Sequence, residues 1–74
     1  MIATMTDTGL PAALDAERRP FRNTTMIYLE TYVQDRLDTV LILHNAEAEA
    51  LIWELARNLP AASRHILAEE MGRP

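Results

Sequence analysis

Few side chains in this sequence could do chemistry. The chain has one serine, Ser63, and the nearest base is His65. Nucleophilic catalysis needs a nucleophile and a base within hydrogen-bond reach, but residues two apart on a helix point to nearly opposite faces. We therefore expect Ser63 to bond to the backbone near the start of a helix.

The sequence also offers few residues that could form a metal site or a general acid–base pair. His65 and Glu69 share a helix face at i, i+4 spacing, which gives two ligands at best and favours a weak surface pair. His44 ends an apolar run, and we expect it to be a partly buried structural histidine. No two carboxylates are marked as a general acid–base pair, and two distant glycines cannot form a phosphate-binding loop. The sequence predicts no catalytic residue, no metal, no cofactor, no small-molecule substrate and no enzyme.

Length and composition point to a binding protein. A chain of 74 residues buries only roughly 60% of its unfolded surface, so its core is marginal. Because cysteine is absent, disulfides cannot compensate, and we expect a homo-oligomer or a complex with another protein. The net charge of −4 opposes general affinity for nucleic acid. No signal peptide or membrane-length apolar run is present, which predicts a cytoplasmic protein without a membrane contact.

Two groups of residues are candidates for protein binding. Trp53 is either a core anchor or an interface hot spot, since tryptophan buries much area at low entropic cost. Tyr28 and Tyr32 would extend an apolar patch with Met26 if their segment is a strand. The second group is a basic cluster suited to gripping an acidic partner or a phosphate, and it comprises Arg18, Arg19, Phe21 and Arg22.

A surplus of acidic residues accounts for the net charge. Between residues 23 and 59, six acidic side chains outweigh two arginines. Their ordinary role is solubility, and their functional interpretation is a face that competes with nucleic acid for a basic partner.

The clearest predicted elements are two helices, at residues 46–59 and 61–71. Asn45 is a favourable N-cap for the first helix, and an apolar stripe from Ala48 to Leu59 has helical spacing. Pro60 ends that helix. Gly72 is a suitable C-cap for the second.

Residues 24–44 allow two interpretations. The density of β-branched and aromatic residues from Thr24 to Val33 favours a β-hairpin over about 25–44, with the turn at 34–38 and a return strand at 39–44. Ile27, Leu29 and Val33 would then share one face of the first strand. The alternative is an all-α helical hairpin or three-helix dimer, because polar and apolar residues also follow a helical period here. The predicted turn lacks Gly, Asn and Pro.

The predicted domain organisation separates the ends of the chain. Residues 1–22 are expected to be a flexible arm, in which Pro11 and Pro20 would bound a short helix. Residues 23–72 are expected to form a single compact domain. The overall fold class is therefore small α+β, with a hairpin followed by two short helices.

Three functions fit these features. The leading hypothesis is a small non-catalytic regulatory or inhibitory module that binds another protein, of the kind encoded by phages or bacterial operons. The alternative is a dimeric DNA-binding regulator or antitoxin of ribbon-helix-helix or helix-turn-helix type, with contacts from Arg18 or Arg64. The third is a self-assembling helical protein with its seam along residues 26–59.

Overall fold

A four-stranded antiparallel sheet followed by two helices forms the fold, as seen in a computed structural model that describes residues 1–72. The strands lie in chain order across the sheet, so that β1 and β4 are the edges. The predicted α+β class, with a hairpin and two C-terminal helices, is confirmed, and the all-α alternative with its helical seam is wrong. The elements are β1 (Ile2–Met5), β2 (Pro11–Phe21), β3 (Thr24–Val33), β4 (Arg36–Leu43), α1 (Asn45–Arg57) and α2 (Ala61–Met71).

The N-terminal segment is strand rather than helix. Residues 11–21 form β2, which pairs along its length with β3, and β1 pairs with the start of β2. The prediction of a short helix within residues 1–22 is therefore wrong. Pro20 lies opposite Thr25 near the end of the ladder, and Pro11 is the first residue of its strand, both of which a sheet tolerates. One sheet thus spans the predicted boundary between arm and domain.

The β3–β4 turn is tighter than predicted. It contains only Gln34 and Asp35, both with positive φ, at 51° and 62°, and β4 resumes at Arg36. Such a pair of left-handed residues matches the right-handed twist of a hairpin. The amide of Gln34 also donates a 2.8 Å hydrogen bond to the carbonyl oxygen of Pro11. The turn forms without glycine because neighbouring strand pairing holds it.

Alternation along β3 assigns its side chains to two faces. Ile27, Leu29 and Val33 share one face, as predicted, and the tyrosines occupy the other. The pairing with β4 shifts register between Thr31 and Tyr32.

The two helices begin and end close to the predicted residues. The N-cap of α1 is His44 rather than Asn45: its Nδ1 accepts from the amide of Glu47 at 3.4 Å, and Glu47 Oε1 accepts from the amide of His44 at 3.2 Å. This reciprocal pair is a capping box. His44 has a side chain that is 58% exposed, so the expectation of a partly buried histidine is wrong. Gly72 caps α2 as predicted.

Apolar burial is almost absent from the single chain. Within residues 1–72 no hydrophobic side chain is buried, and neither helix contains a buried residue. The radius of gyration is 14.0 Å, whereas a compact chain of this length has about 11 Å. Neither helix of the described chain has the length and apolar character needed to cross a membrane.

We predict that Asp35→Gly stabilises the fold, because glycine adopts a left-handed conformation without steric cost. The expected gain in the free energy of unfolding is about 0.5–1 kcal/mol, measured by urea denaturation at fixed protein concentration. Thr39→Gly is the control, since it places glycine inside β4 at a position paired directly with Thr31 and should destabilise by a similar amount. Equal effects of the two substitutions would contradict the turn assignment.

Candidate functional site

The candidate site is one face of the central hairpin, here named the tyrosine face. Strand pairing sets Glu17 opposite Tyr28 and Arg19 opposite Met26. Since side chains alternate along each strand, this face gathers most of the residues predicted from sequence to bind protein. It includes Asp15, Glu17, Arg19 and Phe21 from β2 and Met26, Tyr28, Glu30 and Tyr32 from β3.

Glu30 lies at the centre of the tyrosine face. It is 7% exposed and is the one buried residue of the described chain. Arg19 donates hydrogen bonds to the carboxylates of both Glu17 and Glu30. These bonds raise the pKa of Arg19 above its usual value, and the bond to Glu17 has the larger effect. The buried carboxylate is therefore compensated, as a buried charge must be.

Aromatic rings surround the ion pair. The guanidinium carbon of Arg19 lies 5.1 Å from the centroid of the Tyr28 ring, within the range of a cation–π contact. Phe21 meets Tyr28 edge-on, with centroids 6.4 Å apart and an interplanar angle of 68°. Arg22, in the β2–β3 turn, places its guanidinium carbon 5.2 Å from the Phe21 ring centroid. Two adjacent rings thus lie between two guanidinium groups, and these contacts order the surface.

Tyr32 lies beside the carboxylates. Partial burial, followed in size by the negative charge of Glu30, raises the pKa of Tyr32. Both causes disfavour the phenolate. Tyr32 therefore stays a neutral hydrogen-bonding group throughout the physiological range.

A cluster of three carboxylates was not predicted from sequence. One oxygen each of Asp15, Glu17 and Glu30 lies within 4.8 Å of the others, which is close enough to hold a metal ion. Arg19 already bonds two of the three, however, so the cluster is a salt-bridge centre with no independent sign of a metal. The signal for it was the alternation of Leu14 and Ala16 with Asp15 and Glu17, a strand pattern within the segment predicted as an arm.

Arg18 is separated from its neighbour Arg19. It points to the opposite face of β2, where its Nη2 donates a 3.0 Å hydrogen bond to Oδ1 of Asn45 at the start of α1. The predicted basic cluster is thus divided: Arg19, Phe21 and Arg22 accompany the tyrosines, whereas Arg18 ties the helix to the sheet.

Trp53 belongs to a second surface. It lies on α1, is 73% exposed, and lines a groove between α1 and α2. The interpretation of Trp53 as a core anchor is therefore wrong for the single chain. The groove also exposes apolar side chains from both helices, among them Leu55 and Met71.

The residues examined for catalysis and metal binding stay apart. His65 Nε2 and Glu69 Oε1 form an exposed pair at 3.1 Å, as predicted from their spacing. Ser63 is half-buried in the first turn of α2. Glu47 and Glu54 of the acidic surplus are engaged locally, with His44 and Arg57 respectively.

Comparison with protein-family models, with curated proteins and with solved structures finds no match to this chain. Its function is therefore inferred from the chemistry of these two surfaces.

We predict that Arg19→Met destabilises the chain far more than Arg18→Met. Removal of Arg19 leaves the carboxylate of Glu30 buried without a cation, which costs about 1–3 kcal/mol. Loss of the exposed bond from Arg18 should cost less than about 0.5 kcal/mol. Urea denaturation of both variants at one protein concentration measures the difference, and equal losses would contradict a central role for the Arg19–Glu30 pair.

We predict that Tyr32 ionises above the ordinary tyrosine value of about 10. In a Tyr28→Phe background it is the sole tyrosine, so phenolate absorbance at 295 nm reports it alone. Adding Glu30→Gln should lower the pKa of Tyr32. Tyrosine in the unfolded chain loses its proton at a lower pH than Tyr32 does in the folded chain. The free energy of unfolding should therefore fall as the pH rises above about 10. A pKa of Tyr32 that is not raised, or that does not change with Glu30→Gln, would contradict the assignment of Tyr32 to a partly buried site beside Glu30.

Proposed function

We propose that this chain is a small, non-catalytic regulatory or inhibitory module that acts by binding another protein. The observation that carries the proposal is the absence of any buried hydrophobic side chain in residues 1–72, beside sixteen large hydrophobic residues that are exposed. Contiguous exposed apolar surface marks interaction sites in soluble proteins, and six of these sixteen residues lie together in one groove between the helices.

The composition of the tyrosine face supports it as the partner surface. Tyrosine, phenylalanine, methionine and arginine are the residues enriched in protein interfaces, and all four types occur here. Arg19 is held by two carboxylates and stacked on Tyr28. A side chain already fixed in the free protein loses little entropy on binding.

Charge suggests the chemistry of the partner. The three clustered carboxylates on this surface are balanced by Arg19, Arg22 and the N-terminal ammonium, which lies 3.5 Å from Asp15. The whole chain nevertheless carries −4. Complementary potential accelerates association, so the partner should present basic side chains at its rim. Arg22, at the turn, offers a bidentate donor for an acidic or carbonyl group there.

The DNA-binding alternative has less support. A ribbon that reads the major groove needs polar and basic side chains, whereas the edge strand β4 exposes Val40, Leu41 and Ile42. Arg64, the candidate contact on the last helix, lines the same apolar groove as Trp53. These positions favour contacts with protein.

The test is an affinity pull-down with the intact chain from nuclease-treated lysate, comparing Arg22→Gly with Arg57→Ala. Arg22 has a φ of 56°, so glycine removes the guanidinium without backbone strain. We expect one stoichiometric protein, with affinity reduced about tenfold by Arg22→Gly and unchanged by Arg57→Ala.

Arg57 is a matched control because it is an exposed arginine on α1, paired only with Glu54 among the described residues. Recovery of no other protein would overturn the proposed function. A partner retained equally by both variants would place the contact away from the tyrosine face.

A further inference from the structure

A groove between α1 and α2 is lined almost entirely by apolar surface. Its volume is about 630 Å³, and its walls come from both helices. Trp53 is 73% exposed, Met71 66% and Ile52 47%. Large apolar side chains at such exposures are typical of a helical face that packs on another chain, since nothing else in the described chain covers them.

The amount of uncovered surface matches what a homodimer covers. The chain exposes 6227 Å², whereas a folded monomer of this mass exposes about 4,600 Å². The excess, about 1,600 Å², falls within the roughly 1,000–2,500 Å² that each protomer buries in an obligate homodimer. A second copy of this chain would therefore return the exposed surface to that of an ordinary globular protein.

The charges along the groove are self-complementary. Glu49 lies in the second turn of α1, and Arg64 lies in the first turn of α2, directly after the connection at Pro60. Neither side chain has an ion-pair partner within residues 1–72. The groove thus has an acidic end and a basic end. Two copies related by a two-fold axis in antiparallel orientation would set Glu49 of each against Arg64 of the other.

We propose that the chain forms a two-fold homodimer in which the helical pair of each copy fills the groove of the other. Trp53 lies at the centre of the interface, and two Glu49–Arg64 pairs set the antiparallel orientation at its rim. The four helices then pack as a bundle, with the two sheets on the outside. The dimer uses the helices, so the tyrosine faces remain open and the proposal does not depend on the proposed function.

Sedimentation velocity and light scattering of the full chain, at about 10–100 μM, test the dimer. The wild type should have twice the chain mass. Trp53→Ser should raise the dimer dissociation constant at least about a hundredfold, since a central tryptophan is worth about 3 kcal/mol or more. Ile66→Ser is the matched control: Ile66 is 60% exposed on α2 but does not line the groove, so its loss should leave the mass unchanged.

Charge reversal tests the orientation separately from the fold. Glu49→Arg sets arginine against arginine and should weaken the dimer about tenfold, and so should Arg64→Glu. The double variant Glu49→Arg with Arg64→Glu restores opposite charges and should return to within about threefold of the wild type.

Circular dichroism shows in each case that the variant is folded. A folded wild-type monomer at 100 μM, a dimer that survives Trp53→Ser, or the lack of rescue by the double variant would each overturn the proposal. None of these outcomes bears on Arg22 or on the recovery of a different protein, which test the proposed function.

Discussion

A single copy leaves sixteen large hydrophobic side chains of residues 1–72 exposed to water, and this constraint dominates the other features of the structure. Hydrophobic burial is the dominant favourable term in folding, and conformational entropy opposes it with a similar magnitude. Here the sheet is one layer, the helices contain no buried residue, and no hydrophobic side chain in residues 1–72 is buried. Local devices such as the His44 capping box and the tight hairpin turns contribute only about 1 kcal/mol each. The fold is therefore consistent with a protein whose core is completed by another chain.

Within the described part of the single copy, the one buried residue is polar. Glu30 occupies the most enclosed position, and Arg19, Tyr28 and Tyr32 are arranged around it. Such a centre adds little net stability, because desolvation of the charges offsets their attraction. What it does is fix the positions of the aromatic rings. A preordered face of this kind suits recognition, whereas the exposed apolar helices suit a large interface.

The sequence predicted the elements whose structure follows from the local pattern of residue types. β-Branched and aromatic residues in Thr24–Val33 predicted the strand and its faces, and the stripe ending at Pro60 predicted α1. The N-terminal strands were missed because Pro11 and Pro20 resemble helix boundaries, while their ability to sit at strand ends depends on long-range pairing. The Gln34–Asp35 turn was missed for the same reason, since neighbouring strands compensate its backbone cost. The ionic centre joins Arg19 to Glu30 across two strands, and such a pairing requires the register, which a single sequence does not supply.

Two surfaces with different chemistry thus divide the predicted binding residues. Arg19, Phe21, Arg22, Met26, Tyr28 and Tyr32 belong to the sheet end of the molecule, and Trp53 belongs to the helices. Composition indicated candidate binding residues, but only the fold separates them into two faces, one proposed to bind a partner and one proposed to bind a second copy.

The most direct test of this dependence on a second chain is the midpoint of thermal unfolding, followed by circular dichroism from about 1 to 100 μM protein. Association stabilises the folded state by mass action, so its midpoint rises with concentration. We predict a midpoint that increases by several degrees over this range. A midpoint that is independent of concentration would show that the chain folds alone and would contradict the view that its core is completed by a second copy.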